Sequence, residues 1–147
     1  MNKLTLRQAI AIAEQALDRG REKDFKPLTV AVLDDGGQLK VLMREDGSSL
    51  LRPEIASGKA WAALGMGLGG RELARRAAAN PPFIGALVGA SGGRMVPAVG
   101  GVLIRSVTGD IIGAVGISGD TGENDEICAI HGIEAAHLKP DAGAAVV

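Results

Sequence analysis

Two pairs of short apolar segments, each joined by a tight turn, constrain this chain's fold more than any other feature. Residues 28–33 and 38–43 flank the turn Asp-Asp-Gly-Gly, and residues 102–105 and 111–117 flank the turn Thr-Gly-Asp. Both pairs are predicted to be β-hairpins, because glycine tolerates the positive φ that a tight reversal needs. Two hairpins favour an antiparallel sheet, since parallel strands need long crossover connections.

Helical patterns lie between and around these hairpins. Apolar spacing and capping residues predict helices at about residues 5–18, 53–70, 71–79 and 125–138, whereas the assignment of residues 83–88 stays open. Helices packed against an antiparallel sheet give a fold of the α/β (α+β) class.

The length of 147 residues is typical of one domain, which we place at residues 1–140, with residues 141–147 as a loose tail. A net charge of −1 and an aromatic content of 2% argue against a nucleic-acid partner. No apolar stretch has the length of a membrane span, and the N-terminus lacks the apolar core of a signal peptide, so we expect a cytoplasmic protein. Cys128 is the single cysteine, which excludes an internal disulfide.

The glycines at 65, 67 and 70 match the spacing G-x-G-x-x-G. In dinucleotide-binding folds this motif follows a strand, but here it follows a predicted helix. Close helix packing and a helix end are therefore the favoured interpretation.

Lys59 is the one charged residue between residues 55 and 70. Such a lysine extends to water, meets a buried partner, or waits for the carboxylate of a ligand. In the last case we expect Lys59→Met to weaken ligand binding and to leave stability unchanged or higher.

Two glycine-containing segments are further candidates for ligand contact. Gly100 and Gly101 open the second hairpin, where they either permit close backbone approach or form a strand entry. Ser118 and Gly119 lie in a turn before the last helix, where free backbone N–H groups can hold an anion unless Asp125 caps the helix.

His131 and His137 are the only histidines, and both lie near the apolar face of the last predicted helix. Their spacing of six does not suit a shared metal ion, and the sequence contains no H-E-x-x-H.

Several short motifs occur together across most of the chain. Arg44 precedes Asp46, residues 100–104 read Gly-Gly-Val-Leu-Ile, and residues 112–119 read Ile-Gly-Ala-Val-Gly-Ile-Ser-Gly. In this combination the chain resembles the GlcG/HbpS family of haem-degrading and haem-binding domains, which also form the C-terminal domain of PduO-type proteins. The two glycine-containing segments are the most specific part of the resemblance.

The resemblance implies about five antiparallel strands flanked by helices in a profilin-like, three-layer arrangement. It also implies self-association into dimers or higher oligomers, up to octamers, and binding of haem or a corrinoid in some members. Many members belong to catabolic gene clusters. The residue patterns and the resemblance together give these candidate binding residues: Arg44, Asp46, Lys59, Arg94, Gly100, Gly101, Ser118, Gly119 and Asp125.

The chain departs from the family pattern at Ala62, where threonine is common, and at Leu103, where proline is common. It has no histidine before His131. If haem iron is coordinated, His131 is therefore the preferred ligand and His137 the second, because His131 lies nearer to the turn at Ser118.

Three functions are compatible with these patterns. The first is a small binding protein for haem or a related tetrapyrrole, in which Lys59, Arg44 and Arg94 meet the carboxylates. The second is an isomerase, lyase or hydratase that acts on a small organic acid, with Lys59 as base or carboxylate anchor. The third is a purely structural oligomer.

Overall fold

A computed structural model describes residues 3–143, and it alternates hairpins with helices. The helices are α1 (Leu6–Glu22), α2 (Arg52–Met66), α3 (Gly70–Ala79), α4 (Pro81–Ala90) and α5 (Gly122–Ala135). The strands are β1 (Thr29–Asp34), β2 (Leu39–Arg44), β3 (Gly101–Arg105), β4 (Ile111–Ser118) and β5 (Lys139–Asp141). Within the described range, no helix is long and apolar enough to cross a membrane.

The strands form one antiparallel sheet in the order β2-β1-β4-β3-β5. Both predicted hairpins are present, as β1–β2 and β3–β4, and β1 pairs with β4 to join them. The predicted α/β class with a five-stranded antiparallel sheet is therefore confirmed.

Helices cover both faces of the sheet and make three layers. Val30 and Val32 of β1 belong to the core that packs against α1 and α5. Leu33 points to the other face, where it packs against Ala60 and Ala63 of α2. Because side chains alternate between the two faces along each strand, the sheet has an apolar core on each face. Helix α2 covers the centre of the face opposite α1 and α5.

Glycine in the sheet allows α2 to approach the strands at backbone distance. A Cβ atom built on Gly101 would lie 2.5 Å from the carbonyl oxygen of Lys59, and one on Gly116 would collide with the carbonyl of Ala56. Gly101 therefore permits close backbone approach, which was one of the two interpretations of the Gly100–Gly101 segment. The group that approaches is the backbone of helix α2.

Helix ends differ from the sequence expectations at several positions. Helix α1 continues through Gly20 to Glu22 from its capping box at Thr5, and residues 83–88 belong to α4. Helix α5 begins earlier than predicted, because Thr121 rather than Asp125 is its N-cap. The glycine motif at 65–70 does end a helix, since Gly67 is the left-handed C-cap of α2 with a φ of 67°.

The ordered domain extends beyond the predicted boundary at residue 140. Asp141 belongs to β5, which pairs with β3, and its carboxylate lies 2.9 Å from Nε of Arg105. Ala142 is buried. Of the residues expected to form a loose tail, Asp141 and Ala142 are therefore packed, and residues 144–147 lie outside the described part of the chain.

Candidate functional site

A cavity of about 550 Å³ lies between α2, the β1–β2 hairpin and the segment after α4. Its walls are mainly apolar, with one acid and one base among them. The lining residues are Leu33, Gly37, Leu39, Leu51, Glu54, Ile55, Ser57, Gly58, Trp61, Gly93, Arg94 and Val96. Its size and character suit a small organic molecule with a large apolar surface.

Trp61 and Arg94 form a cation–π contact in this cavity. The Arg94 guanidinium lies 4.6 Å from the centre of the Trp61 ring, and Nε of Arg94 donates to the carbonyl oxygen of Ser91. The indole is closely covered on another side, because a Cβ atom on Gly37 would lie 3.3 Å from its Nε1. The cation therefore stands over a ring whose position is fixed by α2 and the hairpin turn.

A backbone hydrogen bond ties the segment that carries Arg94 to α2. The Val96 amide donates to the carbonyl oxygen of Gly58 over 3.1 Å. Before it, Gly92 and Gly93 have φ values of 68° and 82°, a left-handed conformation that glycine adopts without strain. Arg94 was among the predicted site residues, but Trp61 was not. A single tryptophan in a chain this poor in aromatics was nevertheless a usable signal for a binding site.

Lys59 does not line the cavity. Its side chain is buried beneath α2, where Nζ donates to the carbonyl oxygen of Ile117 at 2.8 Å and to Asp125 at 3.2 Å. The other oxygen of Asp125 accepts from the Asp120 amide at 3.0 Å. Lys59 thus meets a buried partner, one of the outcomes that the sequence left open, and it joins α2, β4 and α5.

Both members of this ion pair are shifted towards their neutral forms. Burial lowers the pKa of Lys59, and it raises the pKa of Asp125, while the attraction between the two charges opposes both shifts. The nearby Arg52 guanidinium further lowers the pKa of Lys59.

The glycines of the predicted site are closely packed, and they do not line the cavity. A Cβ atom on Gly100 would lie 2.7 Å from Nζ of Lys59, and one on Gly119 would collide with the carbonyl of Pro27. Both have positive φ. Gly100 therefore leaves room for the buried lysine, and Gly119 allows close approach to the backbone at Pro27.

Three polar residues lie near the N-terminal end of α2: Arg44, Ser118 and Arg52. Arg52 was not among the predicted site residues. Arg44 donates to the carbonyl oxygen of Ser48 at 2.8 Å, and Arg52 donates to Oγ of Ser118 at 2.9 Å. Asp46 is exposed and shares a shallow surface groove with Arg44. Arg52 had no sequence signal beyond its place before Pro53, because only the fold brings it to β4.

Neither histidine faces the cavity. His131 lies on α5, across the sheet from α2, and its Nδ1 is 2.9 Å from a guanidinium nitrogen of Arg19. Because arginine can only donate, Nδ1 is the acceptor of this hydrogen bond. His137 is exposed beyond the end of α5 with a φ of 61°. Among residues 3–143, no three His, Cys, Asp or Glu side chains are placed to hold a metal ion.

Solved structures of similar fold span nearly the whole chain. The PduOC–haem complex has a TM-score of 0.83 and 27% identity, with coverage of 93% of this chain and 97% of that one. The ORFY protein of Klebsiella pneumoniae has a TM-score of 0.82 and 26% identity, with coverage of 93% of both chains. HbpS has a TM-score of 0.78 and 26% identity, with coverage of 91% of this chain and 90% of that one.

Comparison with curated protein sequences finds no match. The family model described as "Haem degrading protein HbpS-like" matches residues 4–134, which is most of the chain. The resemblance drawn from the glycine-containing segments is therefore confirmed, and the chain belongs to the HbpS-like family.

Proposed function

We propose that this protein binds haem or a related tetrapyrrole in the cavity beside Trp61. The observation that carries the proposal is the combination of apolar walls with the Trp61–Arg94 pair. The family and the haem complex of PduOC support a haem-related binding protein in general terms. The cavity offers this chain a place for such a ligand.

The apolar walls suit a flat macrocycle. Burial of the ring edge against Leu39, Leu51 and Ile55 removes apolar surface from water, which stabilises the complex by about 25 cal/mol per Å². The indole of Trp61 offers a flat aromatic surface for offset stacking.

Arg94 is the cation of the cavity and is free to pair with a ligand carboxylate. Within the described chain it forms no ion pair with Asp or Glu; it contacts the Trp61 ring and the Ser91 carbonyl instead. A guanidinium presents a planar fork of donors that matches a carboxylate in two parallel hydrogen bonds. We assign the carboxylate contact to Arg94 rather than to Lys59, which Asp125 already neutralises.

The residues that line the cavity include no histidine, cysteine or methionine. A tetrapyrrole held here by one chain therefore depends on apolar contact and on Arg94. Coordination of iron by His131 or His137 stays a prediction, and it requires the imidazole to come from another copy of the chain, since α5 lies across the sheet from the cavity.

Titration with haemin and with metal-free protoporphyrin tests the proposal, with the Soret band and Trp61 fluorescence as readouts. Because Trp61 is the only tryptophan, its quenching reports contact with the ring. We expect quenching by both ligands, and a loss of affinity of about tenfold or more in Arg94→Gln, the range for a charge-assisted hydrogen bond. Arg7→Gln, which removes an exposed arginine on α1, is the matched control.

Saturating haemin that leaves Trp61 fluorescence unchanged would exclude this cavity. His131→Ala and His137→Ala, each titrated with both ligands, test the iron separately. A variant that loses the coordinated haemin spectrum but still binds protoporphyrin identifies the iron ligand. Unchanged spectra in both variants would remove the two histidines from the site.

A further inference from the structure

Two arginines lie at the N-terminal end of α2, and neither lines the cavity. Arg44 donates to the carbonyl oxygen of Ser48, and Arg52 donates to the hydroxyls of Ser49 and Ser118. Asp46 shares a surface groove with Arg44, and Glu54 lies in the first turn of α2, but within residues 3–143 neither arginine forms an ion pair.

Most arginines of the described chain have a carboxylate partner, but these two do not. The ion pairs are Arg19–Glu22, Arg21–Glu45, Arg71–Glu126, Arg75–Glu72, Arg76–Glu72 and Arg105–Asp141. Arg7 and Arg94 also form no ion pair within the described chain. Uncharged oxygens of neighbouring residues hold Arg44 and Arg52: Arg44 bonds to the Ser48 carbonyl, and Arg52 bonds to the hydroxyls of Ser49 and Ser118. Their charges therefore remain available.

The anchors of the two arginines belong to neighbouring residues. Thr29 is the cross-strand partner of Arg44 on one side and of Ser118 on the other, so the three residues form one row across β2, β1 and β4. Thr29 and Ser118 are fully buried, and Oγ1 of Thr29 lies 2.8 Å from Oγ of Ser48. Since the Ser48 carbonyl holds Arg44 and the hydroxyl of the next residue, Ser49, holds Arg52, the two guanidinium groups are fixed by one connected set of residues.

The arginines retain donors for a ligand. Arg44 uses one of its five N–H donors and Arg52 uses two in hydrogen bonds within the described chain. None of their nitrogens is buried without a partner, so the remaining donors reach solvent. Each guanidinium presents a planar fork of donors, which suits a carboxylate or phosphate group.

We infer that Arg44 and Arg52, with the hydroxyl cluster of Thr29, Ser48 and Ser118, form a binding site for a small oxyanion. The ligand group is a carboxylate or a phosphate, and it pairs with the two guanidinium groups. Neither arginine lines the cavity beside Trp61, so this site does not depend on tetrapyrrole binding.

Isothermal titration calorimetry with inorganic phosphate and with succinate, at ionic strength kept constant with KCl, tests the site. We expect saturable binding of at least one of the two anions, and the tighter one identifies the preferred group. Arg52→Gln and Arg44→Gln should each weaken this binding by about tenfold or more, as expected for a lost charge-assisted hydrogen bond. Arg7→Gln, which removes the same charge from the exposed face of α1, should leave it unchanged.

Arg52→Lys keeps the charge and loses the planar fork, so it should fold like the parent and bind more weakly than the parent but more tightly than Arg52→Gln. Far-UV circular dichroism confirms folding of each variant. Absence of saturable binding for both anions would overturn the inference, as would equal weakening in Arg7→Gln. Haemin titration of Arg52→Gln should match that of the parent, which keeps failure of this site distinct from failure of the proposed tetrapyrrole site.

Discussion

Lys59 and Asp125 carry opposite charges where water hardly reaches, with exposed fractions of 6% and 1%. Removal of two ions from water costs several kcal/mol each, and only the pairing and the additional hydrogen bonds to Ile117 and Asp120 offset that cost. Loss of one partner leaves the other ion buried and uncompensated. The pair is therefore a structural contact among α2, β4 and α5.

Lys59→Met is expected to lower the free energy of unfolding by about 3–5 kcal/mol, because it leaves the Asp125 carboxylate buried without its cation. This reverses the expectation from the sequence that stability would hold. Urea denaturation measures the change. Lys59→Met/Asp125→Asn should recover part of the loss, and Lys3→Met, which breaks the exposed Lys3–Asp35 pair, should cost less than about 1 kcal/mol. A stability of Lys59→Met equal to that of the parent would contradict the structural role.

Cys128 is a further buried titratable residue on α5. Burial raises the pKa of its thiol to about 12, since the thiolate would lose its hydration, and the nearby Asp125 charge acts in the same direction. At pH 8 the native protein should therefore not react with Ellman's reagent, whereas one thiol per chain should react in guanidinium chloride. Rapid labelling of the native protein would show that the thiol is exposed or ionised.

The sequence predicted some residues of the Lys59–Asp125 pair and the cavity but not their contacts, and the reason is physical. Sequence patterns identified Lys59 as unusual and Asp125 as a residue of interest, but each was assigned a separate role. Their pairing depends on how α2 crosses the sheet, which no local pattern encodes. Arg52 was missed for the same reason, because its partner Ser118 is distant in the chain.

At the scale of elements, the glycines of β3 and β4 decide how closely α2 can lie on the sheet. Gly101 and Gly116 are directly opposite each other in the register, and both face the backbone of α2. Two side chains at these positions would separate helix and strands. The separation would disturb both Lys59 beneath the helix and the cavity at its flank.

Gly101→Val is expected to destabilise the protein by about 3 kcal/mol or more, because the added atoms meet the carbonyl of Lys59 and backbone cannot yield cheaply. Gly109→Val is the control in the β3–β4 turn, where a Cβ meets nothing within 4 Å. Its positive φ of 95° still imposes strain of about 1 kcal/mol. Thermal denaturation compares the two, and equal losses would contradict the assigned contact.

Elements with strong local signals were predictable from the sequence, and those that depend on tertiary pairing were not. Glycine turns defined both hairpins, and Thr5 defined the start of α1. Strand β5 was missed because three residues that include Pro140 carry no strand pattern, and they pair only because β3 offers a free edge. Helix α4 stayed ambiguous because its apolar residues show almost no amphipathic pattern, consistent with only Ile84 being buried.

Exposed apolar side chains are concentrated on one part of the molecular surface, around β2 and the start of α2. Leu39 and Leu42 are exposed on the edge strand β2, and Leu50 and Leu51 are exposed just before α2. Leu39 and Leu51 both line the cavity, so the exposed leucines continue from its walls. Apolar surface next to an unpaired strand edge favours association with another molecule.

We therefore expect the protein to form a homo-oligomer through this surface, as its family membership also suggests. Light scattering coupled to size exclusion should give a mass of two or more chains at micromolar concentration. Leu42→Glu/Leu50→Glu should shift the mass towards that of one chain, because two charges at the contact would have to lose their hydration. Phe83→Glu/Val107→Glu alters exposed apolar residues elsewhere and should leave the mass unchanged. A monomeric parent would exclude self-association, and with it any supply of an iron-binding histidine from a second copy.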